Sequence, residues 1–136
     1  MSARSLRQRP SPGAPARQAR WDVRIVLTGL PLQACSVLLR RGRQRVLVDT
    51  GFTQHDTLLL EGLAQAGVEP AQITAIINTH YHLDHCGGNL LFPHAPVYGS
   101  RRDFDWALSI YESVCGGGNP ARRLPPVLSR GHRRRI

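Results

Sequence analysis

The sequence contains no lysine, few aromatic residues and no long apolar stretch. All 18 of its basic residues are arginine, and aromatic residues make up 6% of the 136 positions. A membrane-spanning helix needs about 20 consecutive apolar residues, and no stretch of this sequence approaches that length. The first twenty residues carry five arginines but no apolar segment, which is unlike a secretory signal. We therefore expect neither a membrane span nor a membrane partner.

Cysteine is also scarce. The three cysteines, Cys35, Cys86 and Cys115, are widely spaced and odd in number, so they give no disulfide framework. Disulfides persist in oxidising compartments and are rare in the cytosol. The sequence therefore predicts a protein of the reducing cytoplasm, and we expect Cys86 to be a small buried residue.

Acidic residues are absent from both ends of the chain. The formal net charge is +9, but residues 1–20 hold five arginines and residues 116–136 hold six, with no acid in either stretch. Residues 21–115 carry seven arginines and nine acids, a net charge near −2. A nucleic-acid binder should carry its basic groove on the fold, with aromatic residues between the charges. We predict a disordered Arg/Pro-rich tail at 1–20, a folded α/β domain at 21–115, an irregular Arg/Pro-rich tail at 116–136, and no specific nucleic-acid partner.

Hydrophobic periodicity predicts five strands and two helices within the central domain. The strands are expected at 23–27, 35–39, 46–48, 73–78 and 97–98, and the helices at 56–67 and 100–115. Asp56 is expected to cap the first helix, and Ser100 with Asp103 to form a capping box for the second. Trp106 and Tyr111 are expected to pack in the core. His55 is expected on the surface and His94 in a loop.

One short segment concentrates residues that bind metals. His80-Tyr81-His82-Leu83-Asp84-His85 follows the apolar strand at 73–78 and precedes Gly87-Gly88. Residues two apart on an extended chain point to one side, so His80 and His82 can serve one ion and leave Asp84 and His85 for a second. Two metals about 3.5–4 Å apart lower the pKa of a shared water and stabilise both oxygens of a displacement. Imidazole and carboxylate favour zinc, with iron or manganese also open. The alternative is a His-rich surface loop, which the strand-to-glycine context disfavours.

The same segment resembles the His-x-His-x-Asp-His signature of the metallo-β-lactamase fold superfamily. Val48-Asp49-Thr50-Gly51 is similar to the first motif of that family, and the order of strand, Asp-Thr-Gly, helix, strand and His-rich loop also matches. The resemblance covers residues 21–115. Asn78-Thr79, Gly87-Gly88-Asn89, Phe92-Pro93 and the helix from Ser100 are most similar to the acyl-homoserine-lactone lactonase branch.

The resemblance implies an α/β fold, namely the N-terminal half of an αββα sandwich. It implies that His80 and His82 bind a first metal, that Asp84 and His85 bind a second, and that Asp84 is catalytic. Asp49 would orient these ligands from behind, or would only form the turn. The implied reaction is hydrolysis of a small-molecule lactone or other ester, with thioester hydrolysis, phosphodiester cleavage and iron-dependent sulfur oxidation as alternatives on the same fold.

The sequence departs from the family pattern after His85. The family has a third histidine, a bridging carboxylate and a final histidine, and the chain shows only a weak similarity to the third-ligand turn at Ser129-Arg130-Gly131-His132. We do not expect His132 to be a ligand. The sequence therefore predicts a truncated half-domain, which could be a catalytically inactive fragment and which could self-associate through an uncovered sheet face.

Overall fold

Five strands form one sheet in chain order in the computed structural model, which describes residues 20–29 and 34–114. The strands are β1 (Asp22–Leu27), β2 (Ser36–Arg41), β3 (Gln44–Val48), β4 (Ala75–Ile77) and β5 (Val97–Tyr98). The helices are α1 (Asp56–Gln65), α2 (Leu83–Cys86) and α3 (Arg101–Val114), with short 3-10 helices at Thr53–His55, Pro70–Gln72 and Gly87–Leu91. Residues 1–19 and 115–136, which contain nearly all of the two predicted tails, lie outside the described residues.

The sheet changes from antiparallel to parallel at β3. β1, β2 and β3 are antiparallel neighbours, and β2 turns into β3 at Gly42, whose φ of 57° is typical of glycine. β3, β4 and β5 are parallel. Parallel neighbours need a long crossover, and α1 provides it between β3 and β4. Within the described residues, no helix is long and apolar enough to span a membrane.

One face of the sheet is covered by α1 and carries the core. Leu38, Leu47 and Ile76, from three adjacent strands, are fully buried, and Leu59 and Leu63 of α1 pack against them. α1 approaches β1 closely at Gly62, where an added Cβ would lie 1.7 Å from the carbonyl oxygen of Val26. The small residue therefore sets the distance between this helix and the sheet.

The opposite face is apolar and is largely uncovered by the part of the chain that the structure describes. Paired residues of adjacent strands share a face, and the register aligns two rows across the sheet. We call this surface the uncovered apolar face; its rows are Val23, Leu39, Val46 and Ala75, and Ile25, Val37, Val48 and Ile77. Val23 is 61% exposed and Ile25 is 63% exposed. The predicted alternation in the first strand is therefore only partly right, because a register shift after Ile25 buries Val26 together with Leu27.

Two predicted details of the helices are wrong. Asp56 does not cap α1, because the chain enters that helix through the 3-10 turn at Thr53–His55. The N–H of Asp56 donates to Thr53 O, and Asp56 already has helical backbone angles, whereas His55 occupies the cap position without a side-chain bond. Trp106 is not a core residue, since it is 47% exposed. α3 turns Ala107 and Phe104 inward instead, and the side chain of Tyr111 falls outside the described part.

Candidate metal centre

The segment that follows β4 and runs into the first turn of α2 lies at the carboxyl end of the parallel strands. We call residues 80–85 of this segment the histidine loop; residues 83–85 are also the first three residues of α2. The last carbonyl of the histidine loop, that of His85, accepts hydrogen bonds from the N–H of Thr50 at 2.8 Å and from Asn78 Nδ2 at 3.2 Å, and it lies 3.3 Å from Thr50 Oγ1. The Asp-Thr-Gly turn after β3 and the end of β4 therefore hold the loop together from below.

A buried polar cluster made of Thr50, Asn78 and Asn89 supports the loop. Thr50 Oγ1 donates to Asn89 Oδ1 at 2.9 Å, and Asn89 Nδ2 donates to Asn78 Oδ1 at 2.8 Å. All three residues are buried, and buried polar groups are costly unless they are hydrogen-bonded. An added Cβ at Gly88 would lie 2.5 Å from Thr50 O, so glycine is needed where the two segments meet.

The imidazoles of the histidine loop lie side by side. The ring centroids of His80 and His82 are 4.7 Å apart, and those of His80 and His85 are 3.8 Å apart. Asp84 Oδ2 lies 3.4 Å from His85 Nε2. All four predicted metal ligands are thus brought to one place. The spacing of the two imidazoles from residues 80 and 82 agrees with two side chains that leave an extended segment on the same side.

Asp49 lies beneath this loop in an unusual conformation. Its φ is 58°, and it is the non-glycine residue with positive φ among those described. Such left-handed backbone is uncommon outside glycine and collects at functional sites. The side chain is buried and accepts from Thr79 N at 2.8 Å, from Thr79 Oγ1 at 2.7 Å and from His85 Nδ1 at 2.8 Å. Asp49 therefore contacts the histidine loop as well as shaping the turn.

Sequence patterns do not predict Thr79, Asn78 or Asn89 as parts of this site. Thr79 sits directly before the first histidine, and its backbone and hydroxyl both bind Asp49, which is thirty residues earlier in the chain. The sequence signal that could have found them was the resemblance itself, because Asn78-Thr79 and Asn89 lie within the matching stretch. Their partners could not be deduced from spacing, since each pairing joins separate elements.

Trp106 of α3 lies against the histidine loop. Its ring is T-shaped to that of His82, with 5.2 Å between centroids. Tyr81 faces the other way and is buried next to Phe104, with 5.6 Å between ring centroids. Burial raises the pKa of Tyr81 to about 12, so its hydroxyl keeps its proton at neutral pH. Tyr81 thus points to the core, whereas the neighbouring His82 points to the exposed side.

The side chains of Cys86 and His94 have other hydrogen-bond partners and are not among the candidate metal ligands. Burial raises the pKa of the Cys86 thiol to about 11, and its Sγ donates to Tyr81 O at 3.7 Å. A thiol in that state is neither a nucleophile nor a ready ligand.

The histidines outside the histidine loop lie elsewhere. His94 Nε2 lies 3.1 Å from Ile73 O. His55 precedes α1 and is half-buried. A groove of about 420 Å³ between β1 and α1 contains none of the predicted site residues.

The donor atoms fit half of a metal site. Two ligands that each lie about 2.1 Å from a tetrahedral zinc ion are about 3.4 Å apart, which is the separation of Asp84 Oδ2 and His85 Nε2. Among residues 20–29 and 34–114, however, no three histidine, cysteine, aspartate or glutamate side chains are placed so that they could hold one ion. The described residues therefore offer pairs of ligands rather than a closed coordination shell.

A mixed sheet with a crossover helix and a His-rich segment at the carboxyl end of β4 defines an α/β protein. A family model described as the metallo-beta-lactamase superfamily matches residues 29–103. That match spans more than half of the sequence, and the chain belongs to the metallo-beta-lactamase superfamily. The resemblance predicted from the two motifs is confirmed.

Individual relatives agree with this assignment. The chain is 35% identical over 101 residues to human metallo-beta-lactamase domain-containing protein 1, covering 74% of this chain and 33% of the relative. It is 40% identical over 85 residues to a hydroxyacylglutathione hydrolase of Synechococcus, covering 54% and 32%. It is 39% identical over 46 residues to an N-acyl homoserine lactonase of Bacillus thuringiensis, covering 34% and 18%. The chain thus spans a third or less of the length of these relatives.

A solved structure confirms the predicted fold class. A Thermotoga maritima protein assigned to the metallo-beta-lactamases has a TM-score of 0.57 and 25% identity, with 69% of this chain and 48% of that chain covered. A metallo-beta-lactamase of Cronobacter sakazakii has a TM-score of 0.54 and 29% identity, covering 61% and 33%. The described residues therefore have the metallo-β-lactamase fold over part of its length.

Proposed function

We propose that the histidine loop is the metal-binding part of a zinc-dependent hydrolase that cleaves a lactone or another ester. One observation carries this proposal: three imidazoles and the carboxylate of Asp84 meet at the carboxyl end of β4, with 3.4 Å between Asp84 Oδ2 and His85 Nε2. Ligands bind at this edge in many open α/β sheets. One relative is named as a hydroxyacylglutathione hydrolase and another as an N-acyl homoserine lactonase. Both names support a substrate that is cleaved at a carbonyl group.

In this proposal His80 and His82 hold one ion, and Asp84 and His85 hold the other. Imidazole and carboxylate donors suit zinc, and iron and manganese use the same donors. A metal bound here supplies Lewis acidity and activates water for hydrolysis. Asp84 contributes negative charge next to His85, which makes it the residue whose loss should be most damaging to the second site.

Two further residues, Asp49 and Trp106, orient a metal ligand and flank the site. Asp49 fixes the ring of His85 through Nδ1, so that Nε2 points towards Asp84. A partner that holds the other ring nitrogen is typical of metal-binding histidines and increases their basicity. The exposed side of Trp106, next to His82, offers an apolar surface on which the acyl part of a substrate can rest.

A second candidate is a chain that binds metal but does not turn over substrate. It is favoured by the geometry of the cluster: catalytic zinc has three protein ligands, and the described residues place no three histidine, cysteine, aspartate or glutamate side chains so that they could hold one ion. Misplacement of a reacting group by about 1 Å can cost a hundredfold in rate. For the 136-residue chain assayed alone we therefore expect zinc binding with little or no hydrolysis.

Turnover of a panel of lactones and thioesters with added zinc separates the two candidates. The matched control is the double variant His82→Ala/Asp84→Ala, and His94→Ala controls for loss of a histidine elsewhere. We expect the wild-type chain to hydrolyse no faster than the double variant. Hydrolysis that requires zinc and disappears only in the double variant would contradict the inactive alternative and show that the chain by itself is a complete hydrolase.

We also propose a reducing, cytoplasmic location and a second copy of this chain as a partner. The location is supported by Cys35 and Cys86, which are both free thiols.

The second copy is supported by the uncovered apolar face, which presents Val23 and Ile25 to solvent. Exposed apolar patches of this kind promote association. We propose no specific nucleic-acid partner, because the excess of arginine lies in the two ends of the sequence rather than in residues 21–115.

A further inference from the structure

The hydroxyl of Thr79 contacts three groups of the candidate metal centre. Thr79 Oγ1 lies 2.7 Å from Asp49 Oδ2, 3.1 Å from His80 Nδ1 and 3.3 Å from His85 Nδ1. Thr79 N also donates to the other carboxylate oxygen, Asp49 Oδ1, at 2.8 Å. Asp49 therefore accepts hydrogen bonds from both the backbone and the side chain of Thr79. These two hydrogen bonds fix the orientation of the Thr79 hydroxyl.

The direction of these hydrogen bonds follows from the donor inventory. A hydroxyl has one hydrogen and two lone pairs, whereas a carboxylate only accepts. The hydrogen of Thr79 Oγ1 therefore goes to Asp49, its closest neighbour. What remains towards His80 is a lone pair, and His80 Nδ1 can bond to it only by donating its own N–H. The Nε2 atom of a neutral His80 is then unprotonated, and this is the form that binds a metal.

His85 does not compete for that lone pair. Its Nδ1 lies 2.8 Å from Asp49 Oδ2 and 3.3 Å from Thr79 Oγ1, so its shorter bond goes to the carboxylate. Asp49 accepts directly from His85 and from Thr79, and Thr79 accepts from His80. One carboxylate thus sets the ring orientation of two histidines, the first by contact and the second through a threonine.

We propose that Thr79 is a positioning residue that fixes His80 in the Nδ1–H tautomer and leaves its Nε2 atom available to a metal ion. This inference rests on the proposed function in assigning His80 to a metal. The tautomer itself is a property of the metal-free chain. Hydrogen-bond partners of ligating histidines fix tautomer and orientation in this way and typically change metal affinity by about 10–100-fold.

The test is a long-range ¹H–¹⁵N correlation spectrum of the metal-free chain at a pH where histidine is neutral, with His80 assigned by comparison with His80→Gln. We expect the Nδ1–H form for His80 in the wild type. Thr79→Val removes the hydroxyl at nearly constant shape, and we expect it to give a mixture of both tautomers. Thr79→Ser restores the hydroxyl and should restore the Nδ1–H form. His94 is an internal control, because its Nε2 donates to Ile73 O and should stay in the Nε2–H form throughout.

Two results would overturn the inference. One is an Nε2–H tautomer for His80 in the wild type, and the other is an unchanged Nδ1–H tautomer in Thr79→Val. The first needs no variant, so it applies even if Thr79→Val fails to fold, and the His94 signal reports folding in each sample. A zinc titration of the same samples keeps the two proposals apart. A chain with the expected tautomer that binds no zinc would refute the metal-site proposal and leave the role of Thr79 intact.

Discussion

The carboxylate of Asp49 accepts a hydrogen bond from the ring of His85, with 2.8 Å between Oδ2 and Nδ1. These residues are 36 positions apart, and their contact joins the turn after β3 to the histidine loop. Because a carboxylate can only accept, His85 must carry its proton on Nδ1. Its Nε2 atom is thereby directed to the exposed side, where Asp84 Oδ2 lies 3.4 Å away. The left-handed turn at Asp49 and the histidine loop are thus one structural unit.

Replacement of Asp49 by asparagine should weaken zinc binding by about 10–100-fold, the usual effect of removing the partner of a ligating histidine. Asparagine tolerates the left-handed backbone, so the turn should survive. The amide has one accepting oxygen where the carboxylate has two, so it cannot keep all three hydrogen bonds from Thr79 N, Thr79 Oγ1 and His85 Nδ1. The measurement is zinc affinity by competition with a chelator dye. Asp56→Asn makes the same chemical change at the start of α1 and should leave the affinity unchanged. Equal affinities for all three chains would contradict a supporting role for Asp49.

The fluorescence of Trp106 should report a metal at His82, because the two rings are in contact at 5.2 Å. Trp21→Phe leaves Trp106 as the single tryptophan. Cobalt, which accepts the ligands that zinc accepts, should quench its emission strongly, and zinc should not. The reciprocal variant Trp106→Phe leaves Trp21, which lies over Arg41 on β2, and should be insensitive to cobalt. Quenching that persists after His82→Ala would mean that the ion binds elsewhere.

Cys86 should react slowly with alkylating reagents, and its rate should rise steeply with pH. Burial raises the pKa of its thiol to about 11, so about one thiol in a thousand is ionised at pH 8, and the thiolate is the reactive form. The variant Cys35→Ser/Cys115→Ser isolates this residue. Urea should accelerate labelling by exposing it. The control Cys86→Ser/Cys115→Ser leaves the exposed Cys35, which should label rapidly; equal rates at the two positions would contradict the burial of Cys86.

The uncovered apolar face should make the chain associate with itself. Sedimentation velocity of the wild type should show a species that grows with protein concentration. Ile25→Asp places a charge at a position that is 63% exposed in the single chain, so it should disfavour association without loss of core packing. Thr57→Asp adds the same charge on the exposed first turn of α1 and should associate as the wild type does. A monomer at every concentration would refute this face as an interface.

Much of the fold follows from local pattern. Strand periodicity predicts β2, β3, β4 and β5, and the capping pattern predicts the start of α3, where Asp103 N donates to Ser100 Oγ at 3.4 Å. The four candidate ligands follow from motif spacing, and Asp49 follows from the resemblance to the family. These features were accessible because each is encoded within a few consecutive residues.

The missed features depend on contacts between distant segments. Thr79 and Asn89 hydrogen-bond to Asp49 and Thr50, in the turn after β3. No sequence periodicity encodes the approach of these distant segments. Helical spacing predicts Trp106 in the core, but its ring is 47% exposed and lies 5.2 Å from that of His82. Asp56 was assigned as a cap because the preceding 3-10 turn has no clear sequence signal.

Zinc binding to the histidine loop is the most direct test of the account. Purified wild type, His82→Ala/Asp84→Ala and His94→Ala should be dialysed against zinc and then against buffer, with bound metal measured by elemental analysis and affinity by calorimetry. In the proposed arrangement each ion has two ligands among the described residues, so we predict weak binding to the wild type and to His94→Ala. After dialysis these two chains should retain well under two equivalents, and the double variant should retain none. Zinc retained equally by all three chains, or a tightly held pair of ions in the double variant, would contradict the assignment of residues 80–85 as the metal site.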